Sequence, residues 1–311
     1  MKDIYDLIII GGGPAGLAAS IYSNRAGYDT LVIEKVGFGG QMVLTDLIDN
    51  YPGFPDGING FELHNKMVKQ AEKFGMKSKI EPVTGIEKKD NIFIIKTGNG
   101  EYKSLTVIIA SGAKHRRLNI PGESKFSSRG VSYCATCDGP FFKEKDIMVI
   151  GGGDTALTEA MFLSKFARSV KIVHRRDRFR AVKSLVDQAN SNKKISFIFN
   201  SIATEIKGDN LVKSIGLKNI KTNEEKELNI DGIFIFVGLD PNTDFVNKSI
   251  LDEGNYITTD ICMLTKIEGL FAAGDVRSQA FRQIVCAVAS GATASEYAGK
   301  YIDKLKGNEY K

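Results

Sequence analysis

The stretch IYDLIIIGGGPAGLAAS (residues 4–20) lays out a strand, a glycine turn and a helix. An apolar run from Tyr5 to Ile10 stops at three glycines, and an alanine-rich helical segment opens at Pro14. A buried strand, a tight turn and a helix in that order offer free helix N–H groups and a positive dipole end to a pyrophosphate. Gly11 permits the turn, Gly13 lets backbone approach the phosphates, and Gly16 lets the helix pack on the strand. Pro14 suits the first helical position, where its missing N–H costs nothing. A glycine turn alone is weak evidence; the strand before it and the helix after it supply the context.

The same grammar returns in KDIMVIGGGDTALTEA (residues 145–160), with Gly151 in the place of Gly11 and Gly153 in that of Gly13. Ala156 replaces the third glycine, a permitted variant, and Asp154 and Thr155 are expected to cap the second helix. The next strands end differently. Leu31-Val32-Ile33 leads to Glu34, whereas Val170 to Val173 leads to His174-Arg175-Arg176, and Glu34 and His174 stand at the same offset from their first glycine. A carboxylate there accepts from a ribose 2′-OH and suits FAD or NAD; Arg175, Arg176 and nearby Arg180 offer fork-shaped donors to the 2′-phosphate of NADP. HRRDRFR (174–180) standing alone would read as an exposed basic turn, but its register against the second glycine turn favours the phosphate. Two dinucleotide sites in one chain imply electron transfer between them, with hydride passing to a flavin.

Whole-chain properties agree. At 311 residues the chain supports two domains. The balance of 42 Lys+Arg against 37 Asp+Glu is spread along the sequence, so nucleic acid is not an expected partner. No apolar run is long enough to cross a membrane, and Leu7 to Ile10 makes a poor signal peptide. A soluble, cytoplasmic protein is expected.

CATCDG (134–139) holds two of the four cysteines. A structural zinc site wants a second close pair, which Cys262 and Cys286 do not form, and His64, His115 and His174 show no ligand spacing, so no metal is expected. Between two nucleotide sites, a CxxC reads as a dithiol that exchanges electrons. Asp138 directly behind it is the candidate proton donor or acceptor.

In order along the chain, GGGPAG (11–16), GGQ (39–41), NYPGF (50–54), CATCDG (134–139), GGGDTA (151–156), HRRDRFRA (174–181), GLDPNT (238–243), FAAGDV (271–276) and RQ (282–283) resemble the bacterial-type, low-molecular-weight thioredoxin reductases. The resemblance implies an α/β fold of two Rossmann-like dinucleotide-binding domains. An FAD domain, residues 1–113 and 244–311, would be split by an inserted NADPH domain, 114–243, carrying the CxxC. It implies flavin contacts from Ala15, Lys35, Gly40, Gln41, Asn50, Ala110, Gly112, Gly274, Asp275, Arg282, Gln283 and Ile284, besides Gly11, Gly13, Pro14, Gly16 and Glu34. Asp275 would hold the ribityl chain, and a helix near 282–302 would point its N-terminus at the isoalloxazine. NADPH would meet Gly151, Gly153, Asp154, Thr155, Ala156, His174, Arg175, Arg176 and Arg180. Ser111 stands where the family often has threonine, and Thr158 with a single Glu159 where it often has two acids.

The resemblance also implies catalysis by Cys134, Cys137 and Asp138, with Cys137 meeting the flavin and Cys134 attacking thioredoxin. A homodimer, and rotation of the inserted domain about links near 112–117 and 238–244, follow from it as well. The large reductases, with CxxxxC in their first domain, fit less well because GGQMVLTD contains no cysteine. A ferredoxin-dependent relative would lack the basic cluster.

Overall fold

The computed structural model describes residues 4–45, 47–279 and 281–308; the remaining residues, including the outer ends of the expected FAD domain, lie outside the described set. In chain order the elements are β1 (Tyr5–Ile10), α1 (Pro14–Arg25), β2 (Thr30–Glu34), α2 (Gly60–Lys73), β3 (Lys77–Ile80), β4 (Val83–Lys89), β5 (Ile92–Thr97), β6 (Gly100–Ile109) and β7 (Ala113–His115). There follow β8 (Val131–Ser132), α3 (Ala135–Asp138), β9 (Asp146–Gly151), α4 (Asp154–Leu163), β10 (Ser169–Val173), α5 (Lys183–Ser191), β11 (Ile195–Ile198), β12 (Ser201–Gly208), β13 (Val212–Asn219), β14 (Glu225–Asn229), β15 (Gly232–Phe236) and β16 (Leu239–Pro241). The chain ends with β17 (Leu270–Ala272) and α6 (Ile284–Lys306). It divides into two compact units, residues 1–114 with 240–311, and 115–239.

In the first unit the sheet runs β3-β2-β1-β6-β5-β4, with β17 also paired to β6. β6 serves two partners on one edge: its start pairs antiparallel with β5, its end parallel with β17. Buried on both faces, the central strands read as continuous apolar runs instead of alternating ones. Ile8, Ile10, Leu31 and Ile33 face one core with Phe93 and Val107. Leu7, Ile9 and Val32 face the other, which is closed by Ala15 and Ala19 of α1 and Ala287, Ala294 and Ala298 of α6. Small residues let these two helices touch backbone to backbone: a Cβ on Gly291 would lie 2.1 Å from the Ala15 carbonyl oxygen.

The second unit repeats the plan with a parallel sheet, β11-β10-β9-β15-β8. The three helices α3, α4 and α5 cover one face through Ala135, Leu157, Ala160 and Ala189. The antiparallel sheet β12-β13-β14 covers the other through Ile206, Val212, Ile215 and Leu217.

Candidate active site

In the first unit, β1 turns into α1 through Gly11, whose φ of +111° belongs to the left-handed region. A side chain there would strike the Ala110 carbonyl at 2.3 Å, so the turn passes directly over the end of β6. Gly13 is the N-cap of α1 and Pro14 opens its first turn; no side chain caps the helix, which leaves its N-terminal amides facing outward. A Cβ on Gly13 would meet nothing nearer than the Gly40 Cα at 3.9 Å, and Gly39 N–H donates to the Gly12 carbonyl at 2.9 Å. The 39–41 loop therefore lies beside the glycine turn, with Gln41 exposed next to it.

Glu34 closes that cradle. Its carboxylate accepts from the Gly12 N–H at 2.6 Å and from the Lys35 and Val36 N–H groups at 2.8 and 3.3 Å. Opposite, Gly274 packs against α1, where a Cβ would lie 2.9 Å from that of Ala15, and its N–H donates to the Ser290 hydroxyl. Asp275 follows, half-buried, and desolvation pushes its carboxyl up from the ordinary aspartate value against the pull of Arg282. Arg282 lies over the Tyr256 ring and donates weakly to the backbone carbonyls of Asp275 and Arg277. The Asn50 amide donates to the Gln283 side-chain oxygen at 3.2 Å, joining two expected flavin residues far apart in sequence. Gln283 is the N-cap of α6, so the helix expected from Arg282 starts at Ile284. Ser111 gives its hydroxyl to the Asn242 carbonyl at 2.7 Å, and the Asn242 amide returns a bond to the Ser111 carbonyl.

In the second unit, Gly153 is the N-cap of α4, again without a side-chain cap. The expectation that Asp154 and Thr155 cap this helix is corrected. Asp154 lies inside the first turn and its carboxylate accepts instead from the Val182 N–H at 2.8 Å, fastening the loop that follows the basic cluster. Within that cluster, Arg175, Arg176 and Arg180 are exposed, and the Arg180 N–H donates to the Gly152 carbonyl at 2.8 Å. His174 differs from its neighbours: it is 7% exposed, with its ring where a Cβ on Gly152 would fall and Nε2 buried without a partner. Desolvation first, then the three arginines, push its pKa down. A neutral imidazole supports the turn from behind while the arginines face outward.

On the same unit, Cys134 and Cys137 form a disulfide. Cys134 is the N-cap of α3, and its sulfur accepts from the Cys137 N–H at 3.2 Å, with the Thr136 hydroxyl 3.4 Å away. α3 lies on α4, where a Cβ at Gly139 would touch Leu163 at 3.0 Å. Asp138 is oriented by Ser132, which no motif singles out and whose hydroxyl donates to the carboxylate at 2.5 Å. Just upstream, Tyr133 donates to buried Glu123 at 2.7 Å and stacks on His115. Burial raises the Glu159 carboxyl on α4 and leaves one of its oxygens without a partner. Cys286 and Cys262 are both free thiols and half-buried. Among the described residues no cluster of three or more potential metal ligands occurs, and no helix is long and apolar enough to cross a membrane.

Known proteins share this arrangement. The pyridine nucleotide-disulphide oxidoreductase pattern matches residues 5–291. Thioredoxin reductase of Treponema pallidum is 47% identical over 98% of this chain and 100% of its own length, and that of Bacillus subtilis is 44% identical over 98% and 97%. The crystal structure of thioredoxin reductase from Streptococcus pyogenes superposes with a TM-score of 0.94 at 43% identity, covering 98% of this chain and 100% of that one. Such relatives use a flavin and a pyridine nucleotide, and a bonded CxxC is what redox exchange requires. The chain belongs to the pyridine nucleotide-disulphide oxidoreductase family and, within it, to the low-molecular-weight thioredoxin reductases.

Proposed function

We propose that the chain is an NADPH-dependent thioredoxin-disulfide reductase, passing reducing equivalents from NADPH through FAD and the Cys134–Cys137 disulfide to oxidised thioredoxin. The observation that carries this reading is the bonded pair built into the same unit as a glycine turn flanked by three exposed arginines. In this reading residues 1–113 and 244–311 take FAD and 114–243 take NADPH; the protein is a cytoplasmic homodimer.

The residues present fit both groups. The uncapped amides of α1 and the side-chain-free gap between Gly13 and Gly40 suit the FAD pyrophosphate. Glu34, bonded to the turn through one oxygen and to the Lys35 and Val36 N–H groups through the other, keeps lone pairs for a ribose 2′-OH. Asp275, Arg282, Gln283 and Ile284 serve the ribityl side, with Asn50 holding Gln283 in place. Gly151, Gly153 and the uncapped start of α4, with Thr155 and Ala156, take the NADPH pyrophosphate, while Arg175, Arg176 and Arg180 take the 2′-phosphate. FAD, when bound, supplies a two-electron carrier between nicotinamide and disulfide.

The remaining chemistry belongs to the chain. With the pair reduced, the Cys134 thiolate attacks one sulfur of the thioredoxin disulfide, whose S–S bond breaks as a mixed disulfide forms. The Cys137 N–H and Thr136 hydroxyl beside Cys134 Sγ lower the cost of negative charge there. The first thioredoxin thiolate leaves and takes a proton. Cys137 then attacks Cys134 Sγ, the Cys134–Cys137 bond re-forms, and the second thioredoxin thiolate leaves and takes another. Thioredoxin gains two electrons, the enzyme dithiol loses two, and Asp138 manages the proton at the pair.

The test is anaerobic mixing of flavin-loaded protein with NADPH and thioredoxin. The flavin should bleach and thioredoxin become reduced, whereas Cys137→Ser should keep its flavin and lose thioredoxin reduction. Turnover retained by that variant overturns the reading.

A further inference from the structure

We infer that Ser132 is a two-way hydrogen-bond switch that lets Asp138 hold or release its proton without any heavy atom moving. This rests on the reading of Asp138 as the group that handles the proton of the cysteine pair. Ser132 is 5% exposed and sits at the end of β8, two residues before Cys134. Its Oγ has three neighbours: the Asp138 carboxylate at 2.5 Å, the Cys134 N–H at 3.1 Å and the Cys134 carbonyl at 3.2 Å.

A hydroxyl has one hydrogen to give and two lone pairs to receive with. With Asp138 ionised, the hydroxyl donates to Oδ2 and accepts from the Cys134 N–H. With Asp138 protonated, the carboxyl O–H donates to Oγ, and the hydroxyl hydrogen turns to the Cys134 carbonyl. The Cys134 N–H keeps its acceptor in both states. Each state is fully bonded, which is what a buried group must be if its charge is to change cheaply. Both bonds to the backbone end on Cys134, so the switch also fixes the residue that bears the attacking sulfur.

Other titratable groups around Asp138 are few. Besides Asp138, α3 carries only Cys137, with Cys134 as its N-cap, and α4, packed against it, carries Asp154 and Glu159. The following turn, Gly139–Phe142, and strands β8 and β15 carry none.

The experiment uses full-length protein reduced beforehand with dithiothreitol and desalted, reacting once with the small aromatic disulfide 5,5′-dithiobis(2-nitrobenzoate) from pH 5 to 9. Asp138→Asn identifies the limb of the pH profile that belongs to Asp138. Ser132→Ala removes a charge-assisted donor from the carboxylate, so that limb should move to higher pH by roughly one unit, a ~10-fold change in its ionisation constant. Ser132→Thr, which keeps the hydroxyl, should restore the original position. A Ser132→Ala profile that superposes on the unsubstituted one overturns the switch while leaving the proton role of Asp138 standing. An Asp138→Asn profile with no limb lost overturns both.

Should Ser132→Ala fail to fold, infrared difference spectra of unsubstituted protein across the limb decide the matter. The carboxylic C=O band that Asp138→Asn abolishes should lie at the position of a hydrogen-bonded acid. A band at the free-acid position contradicts the switch.

Discussion

The Gly12 N–H donates to the Glu34 carboxylate over 2.6 Å, tying the glycine turn of β1 to the end of the neighbouring strand. In the proposed function one carboxylate thus fixes the turn assigned to the FAD pyrophosphate and keeps capacity for the ribose. Glu34→Ala removes both roles. A charge-assisted hydrogen bond contributes about 1.5–3 kcal/mol, so FAD should bind roughly 10- to 100-fold more weakly. Flavin fluorescence released on dilution measures this, and unchanged affinity would show that Glu34 serves the fold alone.

Arg175 and Arg176 project from the strand end while His174 beside them is buried. Replacing both arginines with Ala should raise KM for NADPH and leave KM for NADH nearly unchanged, because only NADPH carries the 2′-phosphate. Each lost contact corresponds to roughly a 10-fold effect or more. Equal losses for the two cofactors would count against the assignment.

In the proposed function, backbone contact between α1 and α6 sets the flavin side. Gly291→Ala would place a methyl 2.1 Å from the Ala15 carbonyl, an atom that cannot swing aside. Pushing α6 away should cost about 1–3 kcal/mol or more and disturb the Gly274–Asp275 turn, which rests on the same Ala15. Tm and flavin affinity should fall together; a fall in Tm alone would separate the packing from the site.

His115, stacked on Tyr133 at 5.3 Å between ring centres, is held neutral because burial pushes its pKa down from 6.5 to about 4. Below pH 6.5 the unfolded chain takes up a proton that the folded chain refuses. Its contribution to stability is therefore present above that value and drains away as pH falls toward 4. His115→Phe keeps an aromatic ring in the stack and removes the titration. Relative to the unsubstituted chain it should gain roughly 2–3 kcal/mol between pH 7 and pH 4. Denaturant midpoints at the two pH values check this, and parallel shifts in both proteins would contradict it.

Much of the plan was legible because glycine and buried apolar runs leave few local alternatives. Gly11 and Gly151 mark turns where only backbone fits, and the strands feeding them have no polar face to hide. Legibility ended where a side chain's partner is distant in sequence or has two plausible uses. Asp154 read as a helix cap, yet the loop closing over α4 offers it the Val182 N–H. His174 read as one of a basic group, yet the strand register turns it inward against Gly152. Ser132 carries no signal at all: only the four-residue helix α3 curls Asp138 back onto it.

In the proposed function Cys134 and Cys137 store an electron pair in equilibrium with the flavin. Anaerobic titration of flavin-loaded protein with dithionite, followed through the visible flavin spectrum, counts those electrons directly. About four electron equivalents per flavin are expected for the unsubstituted chain and about two for Cys137→Ser. Identical consumption by both proteins would contradict it.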